Sequence, residues 1–371
     1  MRVGILTYGL DRQLGGIGRY TKELIGAFAS LTAEDVEFVL LASGGLDALD
    51  EIPFDVYPLE GSRLLPVLMT RGQWQLRQLA HKLKLDIIHD PTGITPLQLL
   101  PGRVRKVVTI HDVFPLSIPG NSTTLDTWIY RYWLPFATGR VDRVITVSEA
   151  SKQDIQQYLR IPEDKIEVIF NGRSDRFKPA SAQQVAEVKA KYGLPDVPYI
   201  LFLGSVEKRK NLKRVIEAYL QIADRVGNQL VIAGPKLRLY DEIVAISETN
   251  PEKITLTGYI DEEDLPALYT GADLFLFPSI YEGFGLPVLE AMACGTAAIT
   301  STTSSLPEVA GEAAALVDPH DTDAIAATLL NILNDDNKRK TMAAASIEQS
   351  KKFTWVDNAN KTLAIYRELM A

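Results

Sequence analysis

Cysteine is nearly missing from this 371-residue chain. The single thiol, Cys294, excludes an internal disulfide and fits a reducing compartment. It falls in an apolar helical run, where a small buried hydrophobe is a better reading than a nucleophile. Histidine is scarce as well. The four present have no paired spacing and no cysteine cluster beside them, which argues against a zinc site. No Asp-x-Asp pair stands at the end of a strand-like run, so no metal and no other cofactor is expected. There is no long basic run and the net charge is −8, which disfavours a nucleic-acid partner. No apolar stretch approaches the roughly 18 residues of a membrane span. Met1 to Leu6 reads directly as a strand, so no signal peptide is expected. The expected location is the cytoplasm.

What remains has the composition of a soluble enzyme, 46% hydrophobic and 23% charged, at a length that predicts two domains with separate cores. Short apolar runs recur at 3–7, 36–41, 86–89, 106–110, 144–148 and 165–170. They return at 199–203, 229–233, 254–256, 273–277, 297–300 and 313–317. Uninterrupted runs of this kind suit strands of a parallel sheet covered on both faces, which predicts an α/β fold. The pattern restarts after Asn171-Gly172, a turn dipeptide and the candidate hinge.

The chemistry is densest at 281–295. The strand-like Leu274-Phe275-Leu276-Phe277 stops at Pro278. Gly283, Gly285 and Pro287 follow, then an apolar run that closes at Gly295. That is strand, glycine-rich turn, helix and glycine C-cap, with Pro287 in the first helical turn, where a missing N–H costs nothing. The helix start directs N–H groups and its positive dipole end at the turn, an arrangement suited to an anion. Two acids flank it, Glu282 before the turn and Glu290 about one helical turn in. Glu290 is too far along to cap the helix and needs donors beside it; polyol hydroxyls fit.

Glu282 and Glu290, separated by seven residues around Gly-Phe-Gly-Leu-Pro, resemble the Glu-x7-Glu motif of the retaining glycosyltransferases of family 4. The resemblance extends over nearly the whole chain. It implies the GT-B fold: two Rossmann-like doubly wound parallel-sheet domains facing a cleft, with a C-terminal helix crossing back to the first domain. The boundaries implied are 1–172 plus about 355–371 for an acceptor-binding domain and 173–354 for a donor-binding domain. By the same resemblance Glu290 binds the ribose hydroxyls and Glu282 the donor sugar. The amides of Gly283, Phe284, Gly285 and Leu286 face the diphosphate. The loop Gly204-Ser205-Val206-Glu207-Lys208-Arg209-Lys210 is similar to the diphosphate-binding loop, with Lys210 at the lysine position. Ser205 stands where the family usually has an arginine, and Arg209 is the candidate second cation. Ile110-His111-Asp112 looks like the active-site histidine segment, which places His111 near the transferred sugar. Gly15-Gly16 resembles the glycine loop against the donor's distal phosphate and sugar. Tyr259 and Ile260 fall where backbone atoms pair with the base. The implied catalytic set is His111, Lys210 and Glu282.

The implied reaction is transfer of a hexose, with retention, from a nucleotide-sugar to a glycan or lipid-linked acceptor in polysaccharide biosynthesis. UDP-sugars rank first and GDP-mannose second as donor. Two other readings stay open: a nucleotide-sugar epimerase of the same architecture, and a non-catalytic nucleotide-sugar-binding scaffold. A nicotinamide or flavin site is weak, because the glycines come late after the first strand and no acid ends the second. His89, also at a strand end, reads as structural. The stretch 61–85 carries five cations and no acid, with Leu64, Leu65, Val67, Leu68, Met69 and Trp74 between them. It is either a solvated face over a packed helix or a patch that meets the inner face of the membrane peripherally.

Overall fold

The computed structural model describes residues 1–7, 10, 15–42, 52–59, 72–97, 100–120, 122–194, 196–235 and 240–371. They divide into two compact units: Met1–Gly172 with Thr354–Ala371, and Arg173–Phe353.

The first unit is built on β1 (Arg2–Leu6), β2 (Glu37–Ala42), β3 (Asp55–Pro58), β4 (Ile87–Asp90), β5 (Arg105–Ile110), β6 (Arg143–Thr146) and β7 (Ile166–Val168). They form one seven-stranded sheet in the order β3-β2-β1-β4-β5-β6-β7, every pairing parallel. The second unit holds β8 (Tyr199–Leu203), β9 (Gln229–Ala233), β10 (Ile254–Gly258), β11 (Leu274–Phe277), β12 (Ala298–Ser301) and β13 (Ala315–Val317). Its six-stranded sheet runs β10-β9-β8-β11-β12-β13, again all parallel. Both follow the doubly wound Rossmann order, in which the chain reverses direction across the sheet once. Parallel strands need long crossovers, so helices cover both faces of each sheet and its central strands are largely apolar. Leu274, Phe275, Leu276 and Phe277 are all fully buried.

The helices start and stop where side chains can serve their free backbone groups. Ser181 and Gln184 form a reciprocal capping box on helix Ala182–Tyr192, which ends at Gly193 in the left-handed region. Thr354 caps the terminal helix Trp355–Met370 through Asp357 N. That helix belongs to the first unit, where it packs on Gly15–Ser30 and buries Tyr366 completely.

Three features differ from the sequence reading. The edge strand β3 is half exposed and carries a proline, so it lacks a buried-strand signature. The segment Thr124–Thr138 is helical throughout, with a π-helical turn at Ile129–Trp133 inside it. Asn171-Gly172 is not a turn. A Cβ on Gly172 would lie 2.2 Å from Trp355 N, so its glycine is needed for close approach of two backbones.

Candidate functional site

In the second sheet β8 and β11 are neighbours from which the chain departs in opposite directions. The carboxyl ends of such a pair flank the crevice where open α/β sheets hold ligands. The residues that follow these two strands meet there. Lys210 Nζ lies 2.7 Å from Glu282 Oε1, and Arg209 Nη1 lies 3.1 Å from Glu282 Oε2. Lys210 and Glu282 are both buried, and the ammonium also stands 4.7 Å from the centre of the Phe277 ring. Burial works against the Glu282 charge, but Lys210 and Arg209 outweigh it and hold the carboxyl below the usual glutamate range. For Lys210 burial prevails and draws its pKa down, against the pull of Glu282. Ser279 Oγ donates to Glu282 Oε1 at 2.7 Å and helps fix the carboxylate.

The turn that carries Glu282 is tied to the end of β12. Glu282 N donates to Ser304 Oγ at 3.0 Å, and Ser305 Oγ donates to the carbonyls of Glu282 and Phe284 at 2.9 and 2.8 Å. Gly285, at φ 106°, occupies the region L side chains avoid, and a Cβ there would sit 2.7 Å from Leu306 Cδ2. It forms the N-cap of helix Leu286–Ala293, with Pro287 in the first turn. Gly295 follows the helix at φ 76° as its C-terminal glycine. Glu290 is buried and accepts from Tyr269 Oη at 3.1 Å. Cys294 lies buried beside it, and burial, then the Glu290 charge, push the thiol well above its usual range. It is inert as a nucleophile at neutral pH.

The loop after β8 explains how a serine can stand at 205. Ser205 Oγ donates to Glu207 Oε1 at 2.6 Å, and Glu207 Oε2 accepts from Arg209 Nε at 2.8 Å. The serine thus holds an acid, the acid holds the guanidinium, and the guanidinium reaches Glu282. Gly204 and Gly234, at the ends of β8 and β9, let this loop lie close to its neighbour: a Cβ on Gly234 would be 2.1 Å from Gly204 O.

The first unit brings together His111, Tyr20 and the start of helix Gly15–Ser30. The Tyr20 ring lies edge-on to His111 at 4.7 Å. Gly15, at φ 45°, and Gly16 open that helix, both exposed. His111 Nε2 donates to Pro91 O at 2.9 Å, so in the neutral ring the lone pair is on Nδ1. Burial draws the His111 pKa down to about 4, which makes it neutral at physiological pH. Behind it, His89 Nδ1 pairs with Tyr366 Oη at 2.6 Å and Nε2 with Thr109 Oγ1 at 2.8 Å; Thr109 Oγ1 is in turn 3.3 Å from Tyr20 Oη. His89 is thus held on both ring nitrogens, as a structural residue is, and burial draws its pKa down to about 3.

Tyr259 and Ile260 follow β10; the tyrosine is 61% exposed and the isoleucine buried, so their side chains are not gathered onto the Glu282 cluster. Among the described residues, Asp261, Glu263 and Asp264 lie close enough to share a cation. Lys191 Nζ already bridges Asp261 and Asp264 at 2.9 and 2.7 Å. Of the basic stretch 61–85, residues 61–71 lie outside the described residues; helix Gln73–Lys82 exposes Trp74, Arg77 and Lys82. Sequence reasoning passed over Ser279, Ser304, Ser305, Glu207, Tyr269 and Tyr20. The hydroxyl-rich Ser301–Ser305 run was the one available signal, since turn-binding loops favour such residues.

The chain matches two family descriptions, "Glycosyltransferase Family 4" over residues 14–176 and "Glycosyl transferases group 1" over residues 184–349. It is similar along its full length to O-antigen chain mannosyltransferase B of Escherichia coli, 32% identical with 100% of each chain covered. Alpha-maltose-1-phosphate synthase of Mycolicibacterium smegmatis is 26% identical, with 100% of each chain covered. Among solved structures, sucrose-phosphate synthase from Thermosynechococcus elongatus superposes with a TM-score of 0.79 at 22% identity, covering 100% of this chain and 99% of the other. Anabaena HepE in complex with UDP and glucose also gives 0.79, at 18% identity, covering 99% and 100%. These likenesses establish the GT-B fold, and the sequence matches establish the enzyme class: the chain belongs to the family 4, group 1 glycosyltransferases and is a glycosyltransferase.

Proposed function

We propose that the enzyme moves a hexose, with retention of anomeric configuration, from a nucleotide-sugar to a glycan or lipid-linked acceptor in polysaccharide biosynthesis. The observation that carries this reading is the buried Glu282 carboxylate gripped by Lys210 and Arg209 at the ends of two adjacent strands. A departing nucleoside diphosphate gains negative charge as the glycosidic bond breaks. Lys210 has three N–H donors, of which Glu282 takes one, and the start of helix Leu286–Ala293 adds the amides of Gly285 and Leu286. Preorganised donors of this kind stabilise a leaving group without reorganising during the reaction. Glu282 orients the sugar hydroxyls, Glu290 the ribose, and neutral His111 accepts from a sugar hydroxyl through Nδ1. The backbone at Tyr259 and Ile260 reads the base, and Gly15-Gly16 lies against the distal phosphate. The second unit is the donor domain and the first the acceptor domain.

The full-length relative named as a mannosyltransferase favours mannose, which moves GDP-mannose ahead of UDP-sugars as donor. Melting temperatures with GDP, GDP-mannose, UDP and UDP-glucose test this, because a ligand at 100 times its Kd adds about 2.7 kcal/mol to the native state. A shift with the GDP species alone is the expected result; no shift with any nucleotide would overturn the donor site. The cation pair makes a divalent metal unnecessary in this scheme. Full loss of activity with EDTA, restored by magnesium or manganese, contradicts that part. The anomeric configuration of the product, read by NMR, tests retention.

A further inference from the structure

Asp90 closes β4 as a fully buried acid, and it forms no ion pair among the described residues. A buried charge without a counter-ion is costly unless hydrogen bonds serve it. Here three do. Thr92 N and Thr92 Oγ1 donate to Oδ1 at 2.9 and 2.7 Å, and Thr95 N donates to Oδ2 at 2.8 Å. Both oxygens accept and neither donates, which is the pattern of the ionised group. The turn that these bonds close has one available shape. Gly93 sits at φ 73°, and a Cβ there would lie 2.9 Å from Thr109 O on β5. Trp133 Nε1 donates to Ile94 O at 2.9 Å and holds the far side.

The peptide between Pro91 and Thr92 is engaged at both ends. Its N–H, on Thr92, donates to Asp90 Oδ1, and its carbonyl, on Pro91, accepts from His111 Nε2 at 2.9 Å. A peptide is one planar, resonant unit, so carboxylate and imidazole grip a single rigid group from opposite edges. A negative charge at the N–H end also polarises the amide and makes its oxygen the better acceptor. His111 is held elsewhere too: Ser151 Oγ donates to its carbonyl at 3.0 Å, and the Tyr20 ring lies edge-on to it. With Nε2 donating, the lone pair is on Nδ1, which has no partner among the described residues. The opposite tautomer would set a lone pair on Nε2 against the Pro91 oxygen and leave both without a donor. The placing of that oxygen therefore selects the tautomer, and Asp90 sets the placing.

We propose that Asp90 is a positioning residue, which fixes the tautomer and orientation of His111 through the Pro91–Thr92 peptide. The arrangement does what a carboxylate bonded directly to a histidine does, with one amide interposed. Its bearing on catalysis rests on the reading of His111 Nδ1 as the acceptor of a sugar hydroxyl; its bearing on the tautomer does not. Nitrogen-15 NMR of the full chain reads the tautomer directly. In the wild type the proton is expected on Nε2, and a proton on Nδ1 overturns the proposal without any variant. Asp90→Asn keeps the shape, but whichever way the amide turns, Thr92 N or Thr95 N loses its acceptor. The expected result is a mixture of tautomers and a kcat lowered about tenfold, as for other outer partners of a functional histidine. Donor KM and nucleotide binding by the second unit are expected to stay at wild-type values, and with a cooperative melting transition they report a folded variant. A folded variant that keeps its proton on Nε2 overturns the proposal, whatever its rate. Wild-type kcat despite a mixed tautomer overturns the link to catalysis. His111→Ala at wild-type turnover fails the reading of His111 instead, and the tautomer measurement still decides on Asp90.

Discussion

The two units share a strand order and differ in what they set at the ends of their central strands. In the second, Arg209, Lys210, Glu207 and Glu282 form a chain of charges around the ends of β8 and β11. In the first, β4 and β5 instead carry a neutral chain, Tyr366–His89–Thr109–Tyr20, with His111 against its last ring. Asp90, at the end of β4, is closed on itself by Thr92 and Thr95. One scaffold thus carries a charged cluster in one unit and a neutral hydrogen-bonded chain in the other. The sheet supplies position, and the residues after each strand decide charge.

The largest expected effect tests the charged end. Glu282→Gln or Lys210→Ala cuts turnover by about two orders of magnitude or more, the scale of lost transition-state electrostatics. Wild-type rates in both would erase the contrast between the units. The neutral end is tested by acid. His111 and His89 have folded pKa values near 4 and 3, below their unfolded value near 6.5. Between those limits the unfolded chain binds more protons, so the stability these rings confer is complete above about 6.5 and drains away as the pH falls toward 4. A loss on the order of 3 kcal/mol by pH 4 follows for His111 alone. Melting curves of wild type and His111→Asn read it, and identical acid profiles would show the ring to be unperturbed.

A finer test separates the two links to Arg209. Glu207→Gln keeps the size of the side chain but loosens the guanidinium, and kcat/KM is expected to fall roughly tenfold, close to the 1.4 kcal/mol of one weakened charged hydrogen bond. An unchanged kcat/KM would mean that Glu282 alone positions the arginine. The smallest change is Tyr366→Phe, which leaves His89 Nδ1 without its partner at a cost of about 1 kcal/mol. Its melting temperature should drop by a few degrees while donor binding in the second unit stays the same. A fall in donor affinity instead would show that the neutral network acts beyond the first unit.

Much of the site-bearing segment could be read from local pattern. The run Leu274–Phe277, the proline stop, Gly285 and the closing Gly295 each constrain the backbone within a few residues, so strand, turn and helix were legible there. The alternation of apolar runs with helical stretches sufficed for a parallel α/β fold in two parts; the doubly wound order came with the family resemblance. Asn171-Gly172 misled because an Asn-Gly pair signals a turn only by local preference; here glycine answers to Trp355, far along the chain. The helix over 124–138 was missed because its outer face is as apolar as its inner one, which blurs the 3.6-residue period.

The sequence by itself determined the fold class, the glycine-rich turn and the presence of two acids and a lysine in motif positions, because these depend on spacing along the chain. Only tertiary structure decided that Arg209 and Lys210 meet Glu282, 73 and 72 residues further along the chain. Likewise only folding set Tyr366 of the last helix on His89, 277 residues before it. Such partners are chosen by strand order and burial, which place side chains together without leaving a periodic trace.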